Sequence, residues 1–149
     1  MCYRLILFLS LCICGCDFCG ETIKIMDGVS WCYQGIQNSC LKIEFEDVVI
    51  RGDLHIEFVE KGILVSKWNE DKGMLQYYFV DFEEKKVIGP NRRESLAYSD
   101  RRVDLFKSYH LSTLVGRNKI ASERESFELE CNNLKHSLTN SLRYTGGCK

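Results

Sequence analysis

The stretch LHIEFVEKGILVSKWNEDKGMLQYYFVDF, residues 54–82, decides the fold predicted for this 149-residue chain. Its first five residues alternate between apolar and polar side chains, which is the period-two pattern of a half-buried β-strand. Two more runs rich in apolar and aromatic residues follow, at 63–68 and 74–82. Turn-forming residues separate the runs, at 60–62 and 69–73. Turns about eight to twelve residues apart are typical of sequential antiparallel strands, so the stretch predicts an antiparallel β-meander.

The same pattern continues on both sides of this stretch. Upstream, residues 29–33 and 41–46 are predicted to be the two strands of a hairpin, because they flank a run of turn-forming residues. Downstream, the charged residues 83–86 form the next turn, and Pro90 ends the sheet because proline cannot donate a ladder hydrogen bond. Residues 29–90 are therefore predicted to form a meander of about five to seven strands.

The remaining part of the chain, 91–149, has a helical pattern. Segment 91–110 is predicted to form one or two short helical pieces, and 111–115 fits a last strand. Ser122 to Glu125 form a capping box, which marks the start of a helix. Apolar residues then recur at helical spacing on one stripe: Phe127, Cys131, Leu134, Leu138 and Leu142. Strands followed by an amphipathic helix on one face of the sheet predict an α+β fold.

The N-terminal residues, MCYRLILFLSLCICGC, predict export. Arg4 is followed by an apolar run of ten residues, from Leu5 to Cys14. A helix needs about 20 residues to cross a hydrocarbon core of about 30 Å. The run is shorter, and it fits the apolar region of a signal peptide that is cleaved after small residues. Residues 1–15 are therefore predicted to be a signal peptide.

Ile13-Cys14-Gly15-Cys16 resembles the bacterial lipobox, in which cleavage before the cysteine leaves its thiol to carry lipid. The resemblance implies that Cys16 is lipidated, with palmitate as an acyl chain, and that residues 16–28 form a tether. Plain signal-peptidase cleavage near Cys16 or Gly20 is the alternative, and it would give a soluble secreted protein. A metal-binding tract of the clustered N-terminal cysteines is disfavoured, because most of them lie in or against the apolar run.

The length and composition of the mature protein predict a single domain and disfavour nucleic acid as a partner. About 134 residues remain after removal of the signal peptide, which is the usual size of a single domain. The chain has 20 Lys and Arg against 21 Asp and Glu, a formal net charge of −1. This balance provides no basic surface for nucleic acid. Residues 29–149 are therefore predicted to be one globular domain without a nucleic-acid partner.

The cysteines of this predicted domain indicate disulfides. There are four of them: Cys32, Cys40, Cys131 and Cys148. Export makes disulfides feasible, and four cysteines allow three connectivities. The pairs Cys32–Cys40 and Cys131–Cys148 are favoured because each closes a short loop around turn-forming residues. Cys19 has no assigned partner in this scheme.

Few residues in the chain are suited to catalysis or metal binding. None of its three histidines has a spacing typical of a zinc site, and no Gly-x-Ser-x-Gly nucleophile elbow occurs. The histidines are predicted to be solvated surface residues: His55, His110 and His136. Arg51-Gly52-Asp53 is predicted to be a turn. The sequence therefore predicts no catalytic residue, no metal and no cofactor. The alternative, a small envelope hydrolase, would need a cleft lined by His55 with Glu57 or Asp53.

Residues Tyr77 to Pro90 carry a family resemblance. An aromatic-rich strand ending in Asp81 is followed by a Lys-rich turn and a Gly-Pro exit. This strand-turn-strand segment resembles small uncharacterised bacterial lipoproteins, and it implies no catalytic residues. Asp17, directly after the lipobox cysteine, resembles the signal that keeps lipoproteins in the inner membrane of Gram-negative cells. Together these resemblances imply a cell-envelope domain that its lipid anchors to the outer side of the bacterial cytoplasmic membrane.

The expected function follows from this location and from the lack of predicted catalytic residues. A tethered domain acts at a raised local concentration. We therefore expect the chain to bind an unidentified protein partner, as an inhibitor, an immunity protein or an accessory subunit of an envelope complex.

Overall fold

The computed structural model describes residues 20–33, 35, 39–92 and 107–145. The predicted signal peptide, the predicted lipidation site Cys16, and Cys148 lie outside these residues. Within the described ranges, no helix combines the length and the apolar character needed to span a bilayer.

The first half of the described chain forms a four-stranded antiparallel sheet. Its strands follow one another in space in the same order as in the sequence. They are β1 (Glu21–Met26), β2 (Val29–Tyr33), β3 (Ser39–Ile43) and β4 (Val48–Gly52). A short 3-10 turn, Glu44–Glu46, links β3 to β4.

The second sheet is antiparallel and has five strands, in the spatial order β8-β7-β6-β5-β9. Three of its four strand pairings join strands that are consecutive in sequence. In the fourth, the last strand, β9, pairs with β5. The strands are β5 (Leu54–Val59), β6 (Gly62–Asn69), β7 (Met74–Asp81), β8 (Lys86–Asn91) and β9 (Ser108–His110). The central prediction from residues 54–82 is thus confirmed, with three antiparallel strands in the expected positions.

Two helices complete the described fold. The short helix α1 (Leu111–Leu114) follows β9 directly, and the long helix α2 (Ala121–Thr145) packs against both sheets. The predicted stripe is confirmed where side chains are described, because Phe127, Cys131 and Leu134 are buried. Two antiparallel sheets with this C-terminal helix are the predicted α+β class. Seven of the described strands, β2 to β8, lie in the segment predicted to hold five to seven, and β1 and β9 lie outside it.

Several boundaries differ from the predictions. The strand expected at 111–115 is the helix α1, and strand β9 lies before it, within the segment expected to be helical. The expected tether overlaps β1, because Ile23 and Ile25 are buried in the core and the globular part therefore begins before Val29. Strand β8 runs through Pro90, since it is an edge strand and Pro90 lies at an irregularity in its pairing with β7. Helix α2 begins at Ala121 rather than at a Ser122 cap, because the carbonyl oxygen of Ile120 accepts from the amides of Glu123 and Arg124.

One core joins both sheets and the helices. Its centre is an aromatic group in which Phe127 of α2 meets Phe58 of β5 and Tyr109 of β9 edge-to-face, each with ring centroids 5.2 Å apart. Trp31 of β2 lies 6.1 Å from the Phe127 ring and is fully buried. Phe127 therefore contacts an aromatic residue of each sheet, and such pairs add about 0.5–1.5 kcal/mol each beyond their buried area.

The described residues do not hold the predicted Cys32–Cys40 disulfide, and Cys148, the predicted partner of Cys131, lies outside them. Cys32 and Cys40 are direct cross-strand partners on β2 and β3, and both are buried. Cys131 is a free thiol on the buried stripe of α2. It serves as an apolar core residue, and this burial raises the pKa of Cys131 to about 12.

Gly62 is predicted to tolerate no side chain. A Cβ atom at this position would lie 1.9 Å from the carbonyl oxygen of Val80 on the paired strand. Because that oxygen belongs to the backbone of β7, we expect Gly62→Ala to lower the free energy of unfolding by about 3 kcal/mol. Urea unfolding measures this change. Gly73→Ala is the control, since its site has open space and only a left-handed φ of 58°, and it should cost about 1 kcal/mol. Equal losses would contradict the steric explanation.

Cys131 should be unreactive in the folded protein. The thiolate is the nucleophile, and a pKa near 12 leaves roughly a thousandth of the thiolate that an exposed cysteine has at pH 8. We expect iodoacetamide to modify Cys131 at least about 100-fold more slowly in the native protein than in urea. Mass spectrometry of the peptide that contains Cys131 measures both rates. A Cys131–Cys148 peptide in non-reducing mapping would contradict the free thiol.

Candidate functional site

The five-stranded sheet has one face in the core and one face turned away from it. Residues of β5, β6, β7 and β9 that point inward include Ile56, Val65, Val80 and Tyr109, all nearly or fully buried. Their neighbours in sequence point to the other side, because successive side chains of a strand alternate. We call this side the outer face. Two features lie on it, an apolar patch and a group of titratable side chains.

The apolar patch occupies the part of the outer face formed by β6, β7 and β8. At its centre Leu64 and Phe79 are cross-strand partners and bury each other, to 7% and 4% exposure. Around them are side chains with large solvent-exposed surfaces, since Trp68 is 51% exposed, Leu75 43% and Ile88 38%. Trp68 and Leu75 are also cross-strand partners, and Ile88 pairs with Phe79. The patch is therefore continuous across three strands, and Tyr77 packs against its centre.

The titratable group lies at the other edge of the same face. The antiparallel pairing of β5 with β9 sets His55 directly opposite His110, and their ring centroids are 4.8 Å apart. Asp53 precedes His55 by two residues and therefore lies on the same side of the chain. One ligand atom from each of the three residues lies within 4.8 Å of the others. We call Asp53, His55 and His110 the histidine cluster.

Asp53 lies in the connection between the two sheets. It is the single residue between the end of β4 and the start of β5. Gly52 before it has a φ of 130°, which favours glycine and redirects the chain. The Asp53 side chain is half exposed and pairs through Oδ1 with Nε2 of His110. Arg51-Gly52-Asp53 was predicted to be a turn, and here it transfers the chain from the first sheet to the second.

His110 is oriented from its other nitrogen by the first turn of α1. Its Nδ1 contacts the hydroxyl of Ser112 and lies 3.3 Å from the Ser112 amide nitrogen, which donates to it. The carbonyl oxygen of His110 accepts a hydrogen bond from the Thr113 hydroxyl, at 2.8 Å. These contacts fix the ring so that Nε2 faces Asp53. The ring is therefore positioned before any ligand arrives.

The electrostatic environment favours the neutral form of His55. Burial in the sheet lowers the pKa of His55, and the nearby His110 lowers it further, while Asp53 opposes the shift. A neutral imidazole has a lone pair free to accept a proton or to bind a metal. The cluster therefore contains a carboxylate, an oriented imidazole and an imidazole kept neutral near pH 7, a set suited to metal binding or to proton transfer.

The structure assembles only part of what the sequence analysis singled out. His55 and His110 were predicted to be separate solvated residues, but β9 brings them together. His136 is exposed on α2 and bonds to Asn140 one turn away. Glu57 lies on the outer face opposite Leu64 and is not part of the cluster. The signal that sequence reasoning missed is the short Ser-Tyr-His strand, in which buried Tyr109 separates two outward residues.

A separate cleft of about 360 Å³ lies on the other side of the sheet, between α2 and the β5–β9 edge. Its walls include Phe58, Tyr109 and Leu134, and its rim carries Glu60 and Glu130. Among the described residues that line it there is no histidine. A hydrolase would need a cleft lined by His55 with Glu57 or Asp53, and these three residues do not line this one.

Comparisons with known proteins give no indication of the function of this chain. No protein-family model, no curated protein sequence and no solved structure matches this chain.

Proposed function

We propose that the chain is an exported, membrane-tethered lipoprotein domain that binds a protein partner through the outer face of its five-stranded sheet. The observation that carries the proposal is the pair Trp68 and Leu75, which are adjacent across β6 and β7 and are 51% and 43% exposed. An apolar patch of this kind on a small domain marks an interaction site.

The composition of the apolar patch supports a protein as the partner. Tryptophan and tyrosine are enriched among the residues that dominate binding energy at protein interfaces. Here exposed Trp68 and half-buried Tyr77 flank a centre in which Leu64 and Phe79 are already packed. A partner that covers Trp68 and Leu75 gains apolar burial without reordering the sheet, because paired strands hold both side chains.

Lipidation at Cys16 would anchor the domain, and with it this binding surface, to a membrane. A buried acyl chain contributes about 0.8 kcal/mol per methylene, and two or more chains anchor a protein stably. The domain would then act on the outer side of the bacterial cytoplasmic membrane, in the periplasm of a Gram-negative cell. Inhibition of an envelope enzyme, immunity against a toxin and support of an envelope complex are forms that this binding would take.

The two alternatives differ in what they require. A soluble secreted protein without lipid would keep the same binding face, and it differs only at Cys16. A small envelope hydrolase would instead require a substrate cleft beside the histidine cluster. We favour protein binding over hydrolysis, because the exposed surface of the outer face next to the histidine cluster is aromatic and aliphatic.

Replacing Trp68 should disrupt partner binding. A photocrosslinking residue at position 75, in living cells, should form an adduct with one envelope protein, whose affinity for the purified chain is then measured by calorimetry. We expect Trp68→Ser to weaken this binding roughly 30-fold, as for a residue that dominates an interface.

Val49→Ser provides the matched control. Val49 is 43% exposed, like Leu75, but it lies on β4 of the other sheet. This variant should change the affinity less than about threefold. The same adduct formed from position 49, or unchanged affinity of Trp68→Ser, would contradict binding at the outer face.

Cys16→Ser should remove the membrane anchor. We expect the variant to lose metabolic labelling with palmitate and to move from the detergent phase to the aqueous phase, because the lipid-bearing thiol is absent. Cys19→Ser, three residues away, should keep both properties. A Cys16→Ser protein that stays labelled and in the membrane fraction would contradict the lipobox, whereas an unlabelled wild-type protein in the medium would support plain secretion.

A further inference from the structure

We propose that Asp53, His55 and His110 bind a divalent transition-metal ion such as Zn²⁺. The sheet itself brings the three together: β5 supplies His55, its antiparallel partner β9 supplies His110, and the step from β4 supplies Asp53. This inference does not depend on the proposed binding of a protein partner, since it uses other residues of the outer face.

The ligand types fit this class of ion. Two imidazoles and one carboxylate are a donor set that zinc uses when it keeps an open coordination position, and related divalent metals accept the same set. Hard cations such as Mg²⁺ and Ca²⁺ prefer oxygen ligands, and Asp53 alone supplies them here. The chemistry therefore selects a transition metal.

The spacing is close to that of a bound ion. A tetrahedral zinc with bonds of about 2.0–2.1 Å holds its ligand atoms about 3.3–3.4 Å apart. In the cluster these atoms lie within 4.8 Å of one another. Asp53 Oδ1 and His110 Nε2 are in direct contact and have to separate to admit an ion. Because the Asp53 side chain is half exposed, rotation about its side-chain bonds allows this separation. The pairing of β5 with β9 already holds the two histidines side by side.

His110 also has the partner that a metal-binding histidine requires. Histidine ligands usually hydrogen-bond through the second ring nitrogen, which fixes the ring and its tautomer. Nδ1 of His110 contacts the Ser112 hydroxyl, and Nε2 faces Asp53. When Nε2 binds the ion, the ring proton must move to Nδ1, which then donates to Ser112 Oγ instead of accepting from the Ser112 amide. Ser112 is therefore a positioning residue for the site.

The position on the outer face leaves room for further ligands. His110 is 19% exposed and Asp53 50% exposed in their side chains, so solvent reaches the cluster from the outer side. With three protein ligands, the fourth tetrahedral position would hold water or a group from another molecule. Ser66 lies between His55 and Tyr77 in the register of the sheet, so a partner on the apolar patch would pass close to the ion.

Metal titration tests the site. The purified full-length chain in detergent, freed of metal with a chelator, is titrated with ZnCl₂ in competition with a fluorescent zinc indicator. We expect one zinc per chain with a Kd of about 1 µM or below, and a loss of roughly 100-fold or more in His55→Ala and in His110→Ala. His136→Ala is the matched control and should bind like the wild type, because this histidine lies on α2, away from the cluster.

Two further measurements separate a folding defect or a cysteine site from the proposed one. Asp53→Asn keeps a hydrogen-bonding group beside His110, so it should fold, as judged by circular dichroism, yet bind zinc about tenfold more weakly. Cobalt bound in place of zinc should show the visible bands of a nitrogen- and oxygen-ligated ion. Absence of stoichiometric binding up to about 100 µM zinc, binding that survives loss of both histidines, or a cobalt–thiolate absorption would overturn the proposal.

Discussion

The edge-to-face contacts of Phe127 with Phe58 and Tyr109 hold the described domain together. Through them α2 fastens β5 and β9, and the nearby Trp31 ties in the other sheet. The same contacts fix the outer face. Because Tyr109 points into the core, its neighbour His110 must point away from it, and the pairing of β9 with β5 then places His110 beside His55. The histidine cluster thus depends on aromatic packing on the opposite side of the sheet.

The strands that the sequence predicts well are those with local signals. Strands β5, β6 and β7 are consecutive, they are joined by short turns, and their pairing follows from chain order. The division into two sheets is not a local property, since periodicity says which residues share a face but not which strands pair. Strand β1 was assigned to the tether because apolar and polar residues alternate over only a few positions there. The strand is stabilised by burying Ile23 and Ile25 in the core, against residues that are distant in sequence.

The candidate site was harder to predict for the same reason. His55 was correctly placed on the polar side of its strand, but its nearest partner in the fold is 55 positions further along, and no spacing rule connects them. The three residues of β9 form a strand only because β5 offers them an edge. The apolar patch was hidden as well. In β6 both faces carry apolar side chains, so Trp68 was indistinguishable by pattern from the buried residues before it.

The position of β9 in the sheet also orders the assembly of the molecule. The hairpins between β5 and β8 close loops of a few residues, whereas the contact of Asp53 with His110 spans 57 positions of the chain. Because the entropy lost in closing a loop rises with its length, short hairpins form early and distant pairings late. A chain exported from its N-terminus would present the first sheet and most of the second before β9 emerges. The outer face is therefore finished last, because both His110 and the helix that fastens the sheets lie near the C-terminal end of the chain.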